Sequence, residues 1–179
     1  MKKNLIMMVV LMLFVNAASF SQIRVGLGLT VGTPAGDFSD IVDLGIGGYI
    51  EPKYALNEKL DVGLHLGSTF FAGGSLGGSS VSASQVNSFL LTSDFKVSDT
   101  KVTPYFGAGL GLYVIDFGSV DASANVPEID LGSETRFGFA PRAGLLLGKL
   151  NLGVSYNIVK DTNYLAFMLG FEIGSRTSD

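Results

Sequence analysis

Apolar residues recur at every second position along most of this chain. In residues 102–114, VTPYFGAGLGLYV, one set is Pro104, Phe106, Ala108, Leu110, Leu112 and Val114, and the other is Tyr105, Gly107, Gly109, Gly111 and Tyr113. Side chains of a strand alternate between faces, so the two sets lie on opposite sides of one strand. A strand of a soluble sandwich turns a polar face to water. Here the second face carries no charge and consists largely of glycine. Such a face suits the inside of a narrow closed barrel, with the apolar set turned to lipid.

The pattern predicts eight strands. They cover 23–32, 44–54, 60–70, 88–97, 102–114, 136–148, 150–158 and 164–174. They run roughly 9–13 residues, and a strand needs about 9–11 to cross a bilayer. The first places Ile23, Val25, Leu27, Leu29 and Val31 outward, and Arg24, Gly26, Gly28, Thr30 and Gly32 inward. The last places Leu165, Phe167, Leu169, Phe171 and Ile173 outward, and Ala166, Met168, Gly170 and Glu172 inward. The expected fold is all-β: an eight-stranded antiparallel up-and-down transmembrane barrel.

Connections alternate in length. Tight turns are expected at 55–59, at 98–101 and around Lys149; longer connections span 33–43, 71–87 and 115–135, and 160–163 is a short loop on the long side. Bacterial barrels have short periplasmic turns and longer external loops, which places both ends of the mature chain in the periplasm.

Lys2 and Lys3 precede an apolar run over 5–15, followed by small residues at Ser19 and Ser21. This reads as a secretory signal peptide over 1–21, cleaved before Gln22; the run is too short to span a membrane as a helix. Residues 22–179 are then expected to form one outer-membrane barrel domain, with no linker and no second domain.

Composition sharpens the picture at a few points. The chain has 24 glycines, most of them on the inward face of their strands. Glycine weakens a strand interior unless something needs the room, and an eight-stranded barrel has a lumen just wide enough for side chains. There is no cysteine, which excludes disulfides, thiolate metal sites and a lipoprotein attachment site. The formal charge of -4 argues against nucleic acid as a partner. The first long loop holds Asp37, Asp40 and Asp43; the second is Gly/Ser-rich and uncharged, which reads as mobile; the third holds Asp116, Asp121, Glu128, Asp130 and Glu134 with no lysine or arginine. Their spacing fits no calcium loop, so the acidic residues read as solvated surface. No metal or cofactor pattern is present.

The inward face carries Arg24, Lys53, Lys96 and Arg142 against Glu51, Asp61, Asp94 and Glu172. Unpaired buried charge costs several kcal/mol, so a balanced set in a narrow lumen reads as a salt-bridge network that plugs it. Glu172 and Asp94 are the first candidates for the partner of Arg142. The lone histidine, His65, joins this polar set, and Asp61 on the same face is placed to orient it. Three rivals follow. A small-solute porin-like channel needs an open lumen, and wide channels take 16–18 strands. A lipid-modifying barrel enzyme needs a serine and an acid around the histidine; Ser88 and Ser155 face inward, yet no spacing brings them to His65. A soluble lipocalin-like binder needs a polar exterior, which strands one, five and seven do not offer apart from Arg24. No catalytic residue is assigned.

The segments KVTPYFGAGLGLYV at 101–114 and KYALNEKLDVGLHLG at 53–67, with the signal peptide, resemble the small outer-membrane β-barrel family that includes OmpX-like proteins and the OmpA transmembrane domain. The glycine-rich, tryptophan-free style and GDFSD at 36–40 are similar to members from Bacteroidota. The resemblance implies a monomeric, non-enzymatic outer-membrane protein with a role in envelope structure or surface interaction. It also implies contact with outer-membrane lipids and lipopolysaccharide, passage through the barrel-assembly machinery, and surface ligands of open identity. Family members often end on an aromatic residue read by that machinery. Here Phe171 and Ile173 are followed by residues 174–179, a departure that bears on insertion.

Overall fold

The structure, a computed structural model, describes residues 23–73, 75–76, 79–80, 83–98, 100–117, 119–120, 129–130 and 132–174. The expected signal peptide, loop residues Asp121 and Glu128, and the tail 175–179 lie outside the described residues.

Eight long strands form the fold: β1 (Ile23–Ala35), β2 (Val42–Ala55), β3 (Leu60–Gly73), β4 (Ser84–Lys96), β5 (Val102–Asp116), β6 (Ser133–Leu147), β7 (Leu150–Val159) and β8 (Asn163–Ile173). Each pairs antiparallel with its neighbours in sequence. β1 pairs with β8 from Val25 opposite Ile173 to Ala35 opposite Asn163, which closes the barrel. No sheet edge of the barrel is left open, so every strand finds backbone partners on both sides, as a lipid environment requires.

All eight expected strands are present, and the alternation sorts their faces as expected. Outward positions form an exposed apolar belt in which Leu29, Ile46 and Leu91 are each 67% exposed. Inward side chains are buried; they are mostly polar, charged or aromatic toward the tight turns and mid-lumen, with aliphatic residues such as Leu90, Val86 and Ile115 among them.

The strands run further than expected at the long-loop end. β3 continues to Gly73, β5 continues to Asp116, and β4 and β6 begin at Ser84 and Ser133. Beyond them, Ser75–Leu76 pairs with Ser79–Ser80, and Ser119–Val120 with Ile129–Asp130. The reason is packing. Phe71, Val86 and Ile115 continue the inward parity past the belt and are buried, so the ladder there still covers a core.

β2 contains an irregularity. Its register against β3 shifts between Val42 and Gly45, and Asp43 and Leu44 both point outward. This bulge resets the alternation and lets Val42 point inward beside Gly45. The first long connection is not featureless either. Gly36–Asp40 forms a 3₁₀ turn with Phe38 buried.

The opposite end has tight turns. Asn57 Oδ1 accepts hydrogen bonds from the amides of Lys59 (2.9 Å) and Leu60 (2.8 Å), an Asx turn between β2 and β3. Gly148 takes φ +63° in the two-residue turn from β6 to β7.

Candidate functional site

The lumen is filled by three tiers of side chains, each set by where inward parity falls on the strands. Nearest the tight turns lie the eight charged residues. Arg24 comes from the start of β1, Glu51 and Lys53 from the end of β2, and Asp61 from the start of β3. Asp94 and Lys96 come from the end of β4, Arg142 from β6, and Glu172 from the end of β8. All eight are buried.

Ion pairs join them into one continuous chain. Lys96 Nζ lies 3.3 Å from Asp61 Oδ1. Arg24 bridges Asp61 and Glu172, the latter at 2.9 Å. Lys53 Nζ lies 3.3 Å from Glu172, 3.1 Å from Asp94 and 3.5 Å from Glu51. Arg142 donates from Nε to Asp94 Oδ1 at 2.6 Å and reaches Glu51 Oε1 at 2.6 Å. Thr92 Oγ1 donates to the same Glu51 oxygen at 2.8 Å. The Tyr105 ring lies 5.7 Å from Lys53 Nζ, and its hydroxyl donates to Asn151 Oδ1 at 3.0 Å.

Two expected contacts are corrected. Arg142 meets Asp94 and Glu51; Glu172 sits with Arg24 and Lys53 instead. Asp61 does not orient His65, because Arg24 and Lys96 engage it. His65 stacks on Tyr49, with ring centres 5.2 Å apart and planes at 24°.

The middle tier surrounds a cavity of about 10 Å³, room for about one water molecule. His65, Leu90, Thr92, Gly109, Ala140, Arg142, Ser155, Asn157 and Met168 line it. Ser155 is thus brought to the same cavity as His65, which no sequence spacing indicates. Its Oγ accepts a hydrogen bond from Asn157 Nδ2 at 3.3 Å, and the lining contains no carboxylate.

The tier at the long-loop end is apolar. Phe38, Val42, Phe71, Val86, Tyr113, Ile115, Val159 and Tyr164 form a buried cluster there. Phe38 meets Phe71 edge-on at 5.1 Å, Phe71 meets Tyr164 at 5.4 Å, and Tyr113 meets Tyr164 at 6.5 Å. Tyr113 also donates to Asn157 Oδ1 at 2.8 Å. The strand alternation within membrane length does not predict this tier. Its signal in the sequence is a lone phenylalanine between Asp37 and Asp40, together with apolar residues that continue the inward parity beyond the belt.

Several inward glycines are sockets for aromatic rings of the lumen. A methyl group on Gly45 would lie 2.7 Å from the Phe71 ring, and one on Gly138 would lie 2.6 Å from the Tyr113 ring. Gly144 and Gly153 make room for Tyr105, and Gly170 for Tyr49. Overpacking such a site costs about 1–3 kcal/mol. Gly138→Ala should therefore lower stability in that range, measured by urea unfolding in lipid vesicles. Gly26→Ala is the control, since its nearest contact is an ordinary 3.5 Å to the Glu51 carbonyl oxygen, and it should cost much less.

At the loop-end rim, Arg136 reaches the Lys160 carbonyl, Glu134 (2.8 Å from Nε) and Asp161 (3.3 Å). It lies over the Phe117 ring at 5.6 Å.

An apolar exterior, a closed eight-strand ladder and a filled interior define the class: this is the fold of the small outer-membrane β-barrels. By sequence the chain matches no protein-family profile and no curated protein. Solved structures match it in shape. Ail, the attachment invasion locus protein of Yersinia pestis, is similar with a TM-score of 0.59 at 15% identity, over 86% of this chain and 99% of that one. Neisserial surface protein A (NspA) gives 0.58 at 18% identity, over 84% and 96%. The N-terminal β-barrel domain of Pseudomonas aeruginosa OprF gives 0.50 at 14%, over 84% and 97%. Identities this low speak for the fold. At that level the chain resembles the OmpX-like and OmpA-like barrels.

Proposed function

We propose that this chain is a non-enzymatic integral protein of the bacterial outer membrane, exported by the signal peptide over 1–21, with a side-chain plug in place of a channel. Its role lies in envelope structure or in surface interaction through the long loops. The observation that carries the reading is the unbroken run of ion pairs from Lys96 to Arg142 across the lumen. Four cations face four anions, so the layer is neutral and leaves no fixed charge to draw ions through. The exposed apolar belt supports lipid as the surrounding solvent. Lipopolysaccharide and the assembly machinery remain the expected partners, and the barrel is expected to act as a monomer.

Two measurements test this. The purified protein should migrate differently on a gel unheated and heated, and it should give negligible current in planar bilayers. Large stable single-channel currents would instead establish the porin-like channel. A periplasmic fraction with no heat-dependent shift would establish a soluble binder.

The orientation reading yields a separate prediction. Cysteine at Asp40 or Lys160 should react with an impermeant maleimide on intact cells, and cysteine at Asn57 or Lys149 should not. The reverse pattern would invert the topology.

A further inference from the structure

The first connection between strands has an arrangement that the plug does not require. Of the five residues in the 3₁₀ turn Gly36–Asp40, only Phe38 is buried, and it is fully so at 0% exposure. Gly36, Asp37, Ser39 and Asp40 are exposed around it. The hydrogen bonds of the turn stay local. Ser39 Oγ donates to the Gly36 carbonyl at 2.6 Å, and the Ile41 amide donates to the Phe38 carbonyl at 3.3 Å. Phe38 is the one residue of the turn that reaches the interior, and Ile41 and Phe117 pack partly buried against the same cluster. Gly36, with φ +62°, supplies the bend that carries the turn over the mouth.

What Phe38 covers is an apolar neck. Phe71 lies beneath it edge-on, and Phe71 itself occupies the room left by Gly32 and Gly45. Val86 and Ile115 are 1% and 0% exposed although they sit near the open ends of β4 and β5. Residues so near the mouth of a barrel stay dry only if something closes it. An apolar closure is also separable from the charged layer, since the two occupy opposite ends of the lumen and share no residue.

We propose that Phe38 is a removable cork: a side chain carried on a short turn between the ladder pairs of Ala35 and Val42, whose own hydrogen bonds are local among the described residues, and which closes the loop end of the lumen, with Ile41 and Phe117 beside the same cluster, independently of the ion-pair plug. Lifting it breaks apolar contacts and no strand ladder. The barrel then has two barriers in series, a hydrophobic one at the loop end and an electrostatic one toward the turns. This inference rests on the plugged-barrel reading, and the test separates the two.

Val86→Cys places a thiol in the buried cluster that also holds Phe38. In the folded full-length barrel it should be inert to 2-aminoethyl methanethiosulfonate. Adding Phe38→Ala should speed its modification at least about tenfold, while the heat-dependent gel shift shows that the barrel is still folded. If that double variant does not fold, Phe38→Val, which keeps an apolar contact but removes the ring, carries the same expectation. Equal rates with Phe38 present and removed, whether fast or slow, would overturn the cork. The plug is read on a different instrument. Phe38→Ala should leave planar-bilayer current negligible, because the ion pairs still block the lumen. Current through the unmodified protein would sink the plug whatever the thiol reports.

Discussion

Replacing Arg142 with alanine is expected to destabilise the barrel by about 3–5 kcal/mol, the cost of leaving a buried carboxylate without its cation. Two carboxylates lose a partner, Asp94 and Glu51. Lys53 also contacts both, so it limits the loss without removing it. Urea unfolding in lipid vesicles measures the change. A second substitution identifies the partner. Asp94→Asn added to Arg142→Ala should recover part of the loss, because contacting residues are not additive. Glu172→Gln added to Arg142→Ala should recover none, since Glu172 pairs with Arg24 and Lys53. Equal recovery from both would mean that the lumen charges form no defined pairs.

Arginine at Leu110 is the second large effect. Leu110 is central in β5, faces outward and is half exposed. A charge on the lipid face at mid-membrane costs about 2–4 kcal/mol, falling to about 0–1 near the interfaces. Leu110→Arg should therefore destabilise strongly. Leu56→Arg, at an equally exposed leucine in the tight turn between β2 and β3, should cost little. The same experiment in a lipid-free soluble state has no such depth dependence. Matching losses at the two positions would place the belt, or the membrane, elsewhere.

The strands and their faces were legible because a period of two has a single unknown per strand, which side faces in. One charged or glycine-rich set answers it, and so the side on which Arg24, Glu51, Lys53, Asp61, His65, Asp94, Lys96, Arg142 and Glu172 lie could be read directly. Partners could not. Pairing depends on how far each strand slides against the next, and alternation is blind to a shift of two residues. The bulge at Val42 to Gly45 shows the difficulty, since Asp43 and Leu44 break the alternation that any count would assume. The apolar tier was hidden for another reason. Phe71, Val86 and Ile115 lie beyond the length a bilayer demands, so a reading that stops strands at the membrane gives them to loops. Phe38 lies in a turn, where no periodicity reports burial.

The ion-pair chain also constrains how the barrel can be assembled. Arg24 and Glu172 stand 148 residues apart in sequence, at the two strands that close the sheet on itself. Lys53 and Glu172 are 119 apart. Contacts of such long range carry a large loop-closure cost when made from the unfolded chain. Until β8 docks on β1, Glu172 is absent and both Arg24 and Lys53 lack one of their anions. A partly closed barrel must then keep its charges hydrated, with water still inside. Closing the seam between β1 and β8 is thus what supplies Glu172 to Arg24 and Lys53, so the sheet and the ion-pair chain are completed by the same contact.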